Sequence, residues 1–272
     1  MAGAGAGVAL VVTDLDGTLS DADERVHPSS ARAVRSLQAA GVPVLVATGR
    51  RPRMAARVLE PAGLAGPAVV LDGALGLDLR DGRLFHRVTF PVPAARAVLG
   101  AFIAAGLEPC VYADRPGVDF VVGERPATHP RHLARSLPLV AVDDLERVVE
   151  AEPVLTFSVV GRPAGLLEPV ARALGGAGSA SVVRDLVYGD HTLQVRPPGV
   201  SKWSGALAFC ADQGLDPGRV LAVGDSANDL ELLEAAKVAC AVAGASPAVL
   251  ARADYVLGRP GDGGWAAVLD LV

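Results

Sequence analysis

The chain has 272 residues, of which 51% are hydrophobic and 20% are charged, and its formal net charge is -5. This length can support one large or two modest domains with a real core, and we expect two. The negative charge argues against a nucleic-acid-binding protein, which must neutralise phosphates, although positive charge can still gather in a cleft.

The cysteines and the N-terminal residues indicate where the protein works. Cys110, Cys210 and Cys240 are odd in number and far apart, which gives neither a disulfide framework nor metal-ligand spacing. A reduced cytoplasm fits this pattern. Residues 1–7 lack the positive region of a signal peptide, and the apolar run after them is too short to span a bilayer, so we expect a frayed leader and no membrane partner.

An apolar, β-branched run at residues 8–13 ends at Asp14-Leu15-Asp16-Gly17-Thr18. This pattern predicts a buried parallel strand with two acidic groups at its carboxyl end, where open α/β sheets bind ligands. Side chains two residues apart point the same way, so Asp14 and Asp16 repel each other unless a cation or a proton intervenes. Alone, such a pair is also typical of a solvated turn.

The next segment predicts a helix, a strand and a polar turn. Pro28-Ser29-Ser30 begins a helix at residues 31–40, and residues 42–47 form a strand that ends at Thr48-Gly49-Arg50. That turn is either an ordinary strand-to-helix connection or a site where Thr48 and nearby amides hold a phosphoryl oxygen. We expect nearby arginines to be solvated or to cap the helix rather than act in catalysis: Arg50, Arg51, Arg53 and Arg57.

A third apolar run at residues 68–74 is followed by a hairpin at 75–85 with Asp-Gly at its turn. From about Thr89 the pattern changes to helices followed by paired strands, which predicts an α+β insert. We assign residues 88–190 to this insert, and residues 1–87 and 191–272 to the first domain.

The chain then returns to alternating helices and strands. Ser201 caps a helix that begins at Lys202, and a lysine in a first turn opposes the helix dipole at a cost of a few tenths of a kcal/mol, which requires a reason such as an anionic partner. The strand at residues 219–223 ends at Gly224-Asp225-Ser226-Ala227-Asn228-Asp229. The alternation on both sides of the insert predicts a doubly wound parallel sheet.

These four motifs, in this order, resemble those of the haloacid dehalogenase (HAD) superfamily of aspartyl-phosphate phosphatases, in particular its Cof-type branch with a class IIB cap. The resemblance implies an α/β fold with a doubly wound parallel sheet, the HAD-like Rossmannoid core, and an inserted α+β cap domain that sets specificity. Relatives in this branch usually carry Asn-Gly where this chain has Asp72-Gly73.

The resemblance also implies roles for the motif residues. Asp14 is the expected nucleophile and Asp16 the general acid and base, while Thr48, Gly49 and Lys202 clamp the phosphoryl group. The ligands of Mg²⁺ are expected to be the carboxylates of Asp14 and Asp225 and the backbone carbonyl of Asp16. Ser226 and Asp229 are expected to orient the metal ligands or water. Asn228 is expected to reach either this group of residues or the substrate.

The expected function is Mg²⁺-dependent hydrolysis of a small phosphomonoester, such as a sugar phosphate, in the cytoplasm by a monomer or weak homodimer with no nucleic-acid or membrane partner. Relatives that break carbon-halogen bonds need neither a metal nor an acid at the position of Asp16, so Asp16 and Asp225 favour phosphoryl transfer over dehalogenation. A phosphosugar mutase and a non-catalytic phosphate-binding module remain alternatives. The insert offers four candidate contacts for the leaving group: Arg115, Arg184, Tyr188 and His191.

Overall fold

A computed structural model describes residues 7–272 of the chain, so the expected frayed leader lies outside the described residues except for Gly7. The chain forms two compact units. One contains the described residues up to His86 together with Ser201–Val272, and the other is Arg87–Val200. Within the described part, none of the helices combines the length and the apolarity needed to cross a membrane.

The helices and strands follow the expected alternation. Up to Arg87 they are β1 (Leu10–Thr13), α1 (Pro28–Ala39), β2 (Val44–Ala47), α2 (Pro52–Leu59), β3 (Pro67–Val70), β4 (Leu75–Asp78) and β5 (Leu84–Arg87). The insert contains α3 (Val92–Ala104), β6 (Cys110–Ala113), β7 (Phe120–Val122), α4 (Pro130–Ala134), β8 (Val140–Val142), α5 (Leu145–Ala151), β9 (Val154–Arg162), α6 (Ala164–Ala173), β10 (Ser179–Arg184) and β11 (His191–Arg196). The last segment contains α7 (Lys202–Gln213), β12 (Val220–Gly224), α8 (Leu230–Ala235), β13 (Val238–Val242), α9 (Pro247–Leu250), β14 (Tyr255–Leu257) and a 3-10 helix at Gly264–Leu271.

The strands of the first unit form one sheet with the order β14-β13-β12-β1-β2-β3-β4-β5. Pairing is parallel from β14 to β3 and antiparallel between β3 and β4. The central strands β1, β2 and β12 are buried along their whole length, which explains their continuous apolar sequences. The doubly wound parallel sheet is therefore confirmed, with the predicted Asp-Gly hairpin at one edge.

The strands of the second unit form a sheet with the order β10-β11-β9-β6-β7-β8, which is antiparallel except for the β7-β8 pair. Its core includes Phe102 and Val98 of α3, Leu167 of α6, and Phe157 and Leu193 of the sheet, all of them buried. An apolar cluster of this kind, formed by helices on a largely antiparallel sheet, confirms the predicted α+β character of the insert.

The predicted end of the insert at residue 190 is wrong. Strand β11 pairs with β10 from His191 to Arg196, and it also pairs with β9, so the second unit continues to Val200. The Gly189-Asp190 turn, with positive φ at both residues, is the turn of a hairpin inside the insert rather than a linker out of it.

Candidate active site

Three strand ends bring the predicted motifs together. Strand β1 lies between β12 and β2, with Thr13 in register with Val223 on one side and Val46 on the other. Asp14 and Asp225 directly follow β1 and β12, and Thr48 directly follows β2. The chain winds outward in opposite directions from β1 and β12, so these residues occupy the crevice at a topological switch point, where α/β folds bind their ligands.

Asp14, Asp225 and Asp229 form a carboxylate cluster in which one oxygen of each residue lies within 4.8 Å of the others. Asp14 and Asp229 are buried, and Oδ1 of Asp225 accepts a hydrogen bond of 3.1 Å from the Thr18 hydroxyl. The absence of a side chain at Gly224 permits this approach, because a Cβ there would lie 2.5 Å from Cβ of Asp229.

Lys202 provides the positive charge next to this carboxylate cluster. Its Nζ lies 2.6 Å from Oδ1 of Asp14 and 2.7 Å from Oδ1 of Asp229, and the side chain is 1% exposed. These ion pairs supply the anionic partner that a lysine in a first helical turn requires. Although burial acts to lower it, the charges of Asp14 and Asp229 raise the pKa of Lys202, so this side chain is a permanent cation.

The pKa values of the acidic residues show that one lysine does not balance the cluster. Burial raises the pKa of Asp14 well above its usual range against the opposing effect of Lys202, and the charges of Asp229 and Asp225 raise it further. Burial and then the charge of Asp229 raise the pKa of Asp225 to about 7. A further cation is therefore needed to keep these groups ionised together near neutral pH.

The donor set fits a hard divalent cation. The cluster offers carboxylate oxygens, and Mg²⁺ prefers oxygen ligands while keeping several waters, so few protein ligands suffice. Asp229 is already engaged elsewhere, because its Oδ1 contacts Lys202 and its Oδ2 accepts the amides of Asp225 and Ser226 at 3.1 Å each. This arrangement suits a residue that orients the loop around a metal ligand.

Asn228 is held at both ends of its side chain. Its Nδ2 donates to Oδ1 of Asp72 at 2.9 Å, and its Oδ1 accepts from the Ser226 hydroxyl at 2.9 Å. Asp72 is 2% exposed and has a φ of 50°. Since a carboxylate only accepts hydrogen bonds, an aspartate at position 72 fixes which end of the Asn228 amide faces it.

Thr48 and Arg50 lie at the end of β2, and the structure corrects one expectation there. Thr48 is buried, and its hydroxyl accepts the backbone amide of Arg50 at 3.1 Å. Arg50 is not solvated, since its side chain is 11% exposed and pairs with Asp16 at 2.5 Å and with Glu24 at 2.7 Å. Its place directly after Thr-Gly at the same strand end was the signal that could have identified it.

Trp265 contacts the end of β1, directly before Asp14. It is fully buried, and its Nε1 donates to Oγ1 of Thr13 at 2.9 Å, while the same hydroxyl donates to the carbonyl of Asp14 at 2.8 Å. The C-terminal 3-10 helix thus supports the end of β1 through a chain of hydrogen bonds.

The four candidate contacts of the insert differ in their engagement. Arg115 forms ion pairs with Glu152 and Asp143, Tyr188 packs against the rings of His129 and His132, and His191 Nδ1 lies 3.2 Å from Asp190. Arg184 is in register with His191 on the neighbouring strand. Arg115 is thus engaged in ion pairs within its own unit, and its contact with a leaving group stays a prediction.

Comparison with known proteins agrees with this architecture. The phosphoglycolate phosphatase of Methanopyrus kandleri is 29% identical over 265 residues, which are 96% of this chain and 95% of that protein. The phosphoglycolate phosphatase of Haloarcula marismortui is 30% identical over 259 residues, which are 95% of each chain.

Solved structures share the fold. A haloacid dehalogenase-like hydrolase from B. subtilis superposes with a TM-score of 0.80 at 21% identity, covering 96% of this chain and 99% of that one. A HAD subclass IIB sugar phosphatase superposes with a TM-score of 0.78 at 20% identity, covering 96% and 98%. A family model described as haloacid dehalogenase-like hydrolase matches residues 11–269, from the strand that carries Asp14 to the 3-10 helix that supports it. This chain therefore belongs to the haloacid dehalogenase-like hydrolases.

Proposed function

We propose that this hydrolase is a Mg²⁺-dependent phosphatase that removes phosphate from a small phosphorylated metabolite through an aspartyl-phosphate on Asp14. The observation that carries the proposal is the convergence of Asp14 and Asp225, which follow adjacent strands, with Lys202 in the first turn of α7. The names of the relatives, phosphoglycolate phosphatase and sugar phosphatase, support a small anionic or sugar-like substrate.

In this proposal the carboxylates of Asp14 and Asp225 and the backbone carbonyl of Asp16 hold Mg²⁺. When bound, Mg²⁺ reduces the repulsion between an anionic nucleophile and a phosphate dianion. Lys202 adds a fixed positive charge from the protein, and Thr48 and the Gly49 amide are the proposed donors to the phosphoryl oxygens. Asn228, oriented by Asp72 and Ser226, is a further candidate contact for the substrate or the metal ligands.

The proposed reaction has two steps. A carboxylate oxygen of Asp14 attacks phosphorus, the bond from phosphorus to the ester oxygen breaks, and Asp16 donates a proton to the departing alkoxide. Water then attacks the phosphorus of the aspartyl-phosphate, Asp16 accepts a proton from that water, and the bond between Asp14 and phosphorus breaks. Inorganic phosphate leaves, and both acids return to their starting protonation states.

The experiment is release of inorganic phosphate from a panel of sugar phosphates, phosphoglycolate and p-nitrophenyl phosphate, with and without Mg²⁺. Hydrolysis that requires Mg²⁺ and is abolished by Asp14→Asn, but not by the surface control Asp23→Asn, supports the proposal. Transfer of phosphate between sugar positions without net release would indicate a mutase instead. Absence of turnover across the panel would favour a phosphate-binding module.

We further propose that the second unit, Arg87–Val200, is the cap that selects the leaving group, and that the protein works in the cytoplasm as a monomer or weak homodimer. The three cysteines are all free and buried, which suits a reduced compartment. Size-exclusion chromatography with light scattering tests the oligomeric state, and fractionation of the source cells tests the location.

A further inference from the structure

The carboxylate of Asp16 accepts two hydrogen bonds from the guanidinium of Arg50. Nε of Arg50 donates to Oδ2 of Asp16 at 2.7 Å, and Nη2 donates to Oδ1 at 2.5 Å. Two parallel hydrogen bonds from a planar fork fix the plane and the direction of a carboxylate, which a single contact does not. The side chain of Asp16 is 31% exposed, so burial alone does not determine its orientation.

The guanidinium is itself held from a second side. Nη1 of Arg50 pairs with Oε1 of Glu24 at 2.7 Å, and the backbone amide of Arg50 donates to the Thr48 hydroxyl at 3.1 Å. Because Glu24 takes the nitrogen that Asp16 does not use, Arg50 cannot rotate without breaking one of these ion pairs. We call Asp16, Arg50 and Glu24 the Arg50 network.

Glu24 has a positive φ and lies in a turn that several hydrogen bonds hold closed. Glu24 has a φ of 61°, a conformation that favours glycine, and it sits in a turn in which Oδ1 of Asp21 accepts the amides of Asp23 and Arg25 at 2.9 Å each. The amide of Asp21 also donates to the carbonyl of Arg25 at 3.0 Å, closing the turn. Glycine would adopt this conformation without strain, so we attribute the glutamate here to the contact of its side chain with Arg50.

We propose that Arg50 and Glu24 are positioning residues for the acid-base group, with Arg50 orienting Asp16 and Glu24 fixing Arg50. This inference rests on the proposed phosphatase function, in which Asp16 delivers a proton to the leaving oxygen. Neither residue touches the reacting atoms, and both act through the Asp16 carboxylate.

The chemistry of the leaving group gives a selective readout. An alkoxide needs a proton as its bond to phosphorus breaks, whereas p-nitrophenolate leaves as a stable anion without one. The ratio kcat/KM reports the steps up to departure of the leaving group and excludes later hydrolysis of the aspartyl-phosphate. Loss of Asp16 orientation therefore lowers kcat/KM for an alkyl phosphate and largely spares kcat/KM for p-nitrophenyl phosphate.

The experiment measures kcat/KM for an alkyl phosphate and for p-nitrophenyl phosphate in two variants. Arg50→Lys keeps the charge but not the planar fork, and Glu24→Gly suits the backbone conformation and removes the side chain. We expect kcat/KM for the alkyl phosphate to fall at least about 10-fold more than that for p-nitrophenyl phosphate in Arg50→Lys, since general acid catalysis contributes roughly 10²–10⁴-fold. Glu24→Gly should show a smaller loss in the same direction, and Glu24→Gln, which keeps an acceptor, should restore part of it. Asp23→Asn, in the same turn but exposed, is the matched control.

Equal losses of kcat/KM for both substrates in Arg50→Lys would show that the network does not act through the proton transfer, and would overturn the inference. In Glu24→Gly, kcat/KM values that keep the wild-type ratio between the two substrates would show that Glu24 does not position the acid-base group, and would also overturn it. A gain in activity toward the alkyl phosphate would also overturn it, because the network would then restrain Asp16 rather than position it. If the wild-type enzyme hydrolyses no ester at all, the proposed function fails first, and that outcome is distinct from both of these.

Discussion

Nζ of Lys202 lies 2.6 Å from Oδ1 of Asp14, although 188 positions separate the two residues in the chain. The pair is almost completely buried, and the same ammonium group also contacts Asp229. Bringing these charges out of water carries a large desolvation cost, which the pairing and the short hydrogen bonds offset. The pair therefore links the folding of the first unit to the electrostatics of its candidate site.

Replacing Lys202 with methionine should destabilise the protein strongly. Removal of one partner leaves Asp14 and Asp229 buried without their cation, and breaking a buried pair in this way typically costs about 3–5 kcal/mol. Urea unfolding measures the change in the free energy of unfolding. The chain's only other lysine, Lys237, is exposed, so Lys237→Met is the matched control and should change stability by less than about 0.5 kcal/mol. Similar effects of the two substitutions would contradict the importance of the buried pair.

Asp16→Asn should separate metal binding from turnover. The proposed ligand at this position is the backbone carbonyl, which the substitution keeps, whereas the carboxyl that transfers protons is lost. We expect stabilisation by Mg²⁺ in thermal unfolding to persist while kcat/KM for an alkyl phosphate falls roughly 10²–10⁴-fold. Asp14→Asn should reduce both the stabilisation by Mg²⁺ and kcat/KM, since it removes the proposed nucleophile and a proposed Mg²⁺ ligand. Near-native turnover in Asp16→Asn would refute the acid-base role.

Stabilisation by Mg²⁺ should grow with pH. The pKa of Asp225 in the folded, metal-free protein is about 7, above its ordinary value of 3.8, so the folded state holds this proton more tightly than the unfolded chain does. The free energy of unfolding of the metal-free protein therefore falls as pH rises between these values. At low pH the binding of Mg²⁺ must displace the proton of Asp225, which weakens binding, whereas at high pH this proton is already absent.

Thermal unfolding with and without Mg²⁺, at about pH 5.5 and about pH 8, checks this expectation. The increase in Tm caused by Mg²⁺ should be larger at the higher pH, and Asp225→Asn should reduce the difference to the part that Asp14, whose pKa is also raised by burial, contributes. A Tm increase that does not depend on pH in the wild-type protein would show that Asp225 binds the ion without losing a proton.

Much of the fold follows from patterns that are local in the sequence. Uninterrupted apolar runs end in polar motifs at Asp14, Thr48 and Asp225, and burial on both faces of a parallel sheet requires just such runs. The expectation that Asp14 and Asp225 approach closely enough to share an ion is confirmed by the carboxylate cluster. Their roles in catalysis remain predictions.

Other features depend on contacts between distant residues, which a local pattern does not reveal. An arginine after a strand is usually solvated, and only the approach of Asp16 and Glu24 makes Arg50 an ion-paired, largely enclosed part of the site. The true end of the insert depends on the pairing of β11 with β9. Helix α5, by contrast, has a local signal in the sequence, since Asp144 caps it by accepting hydrogen bonds from the amides of Glu146 and Arg147.

Gly224→Ala should disturb the carboxylate cluster directly. The added Cβ would lie 2.5 Å from Cβ and 2.7 Å from Cγ of Asp229, so either the backbone after β12 or the Asp229 side chain must move. Overpacking of this kind costs about 1–3 kcal/mol, and movement of Asp229 also disturbs its contacts with Lys202 and the Asp225 amide. We expect lower stability in urea unfolding together with weaker Mg²⁺-induced stabilisation.

Gly100→Ala provides the comparison, because Gly100 lies within α3 of the other unit and a Cβ there meets nothing within 4 Å. Alanine at this position should stabilise the protein by up to about 1 kcal/mol through helix propensity, without changing the response to Mg²⁺. If Gly224→Ala lowers stability but leaves that response intact, the backbone has absorbed the clash and Asp229 does not set the geometry of the metal site. If it weakens the response, the close approach at Gly224 keeps Asp229 in the position that orients the Asp225 loop.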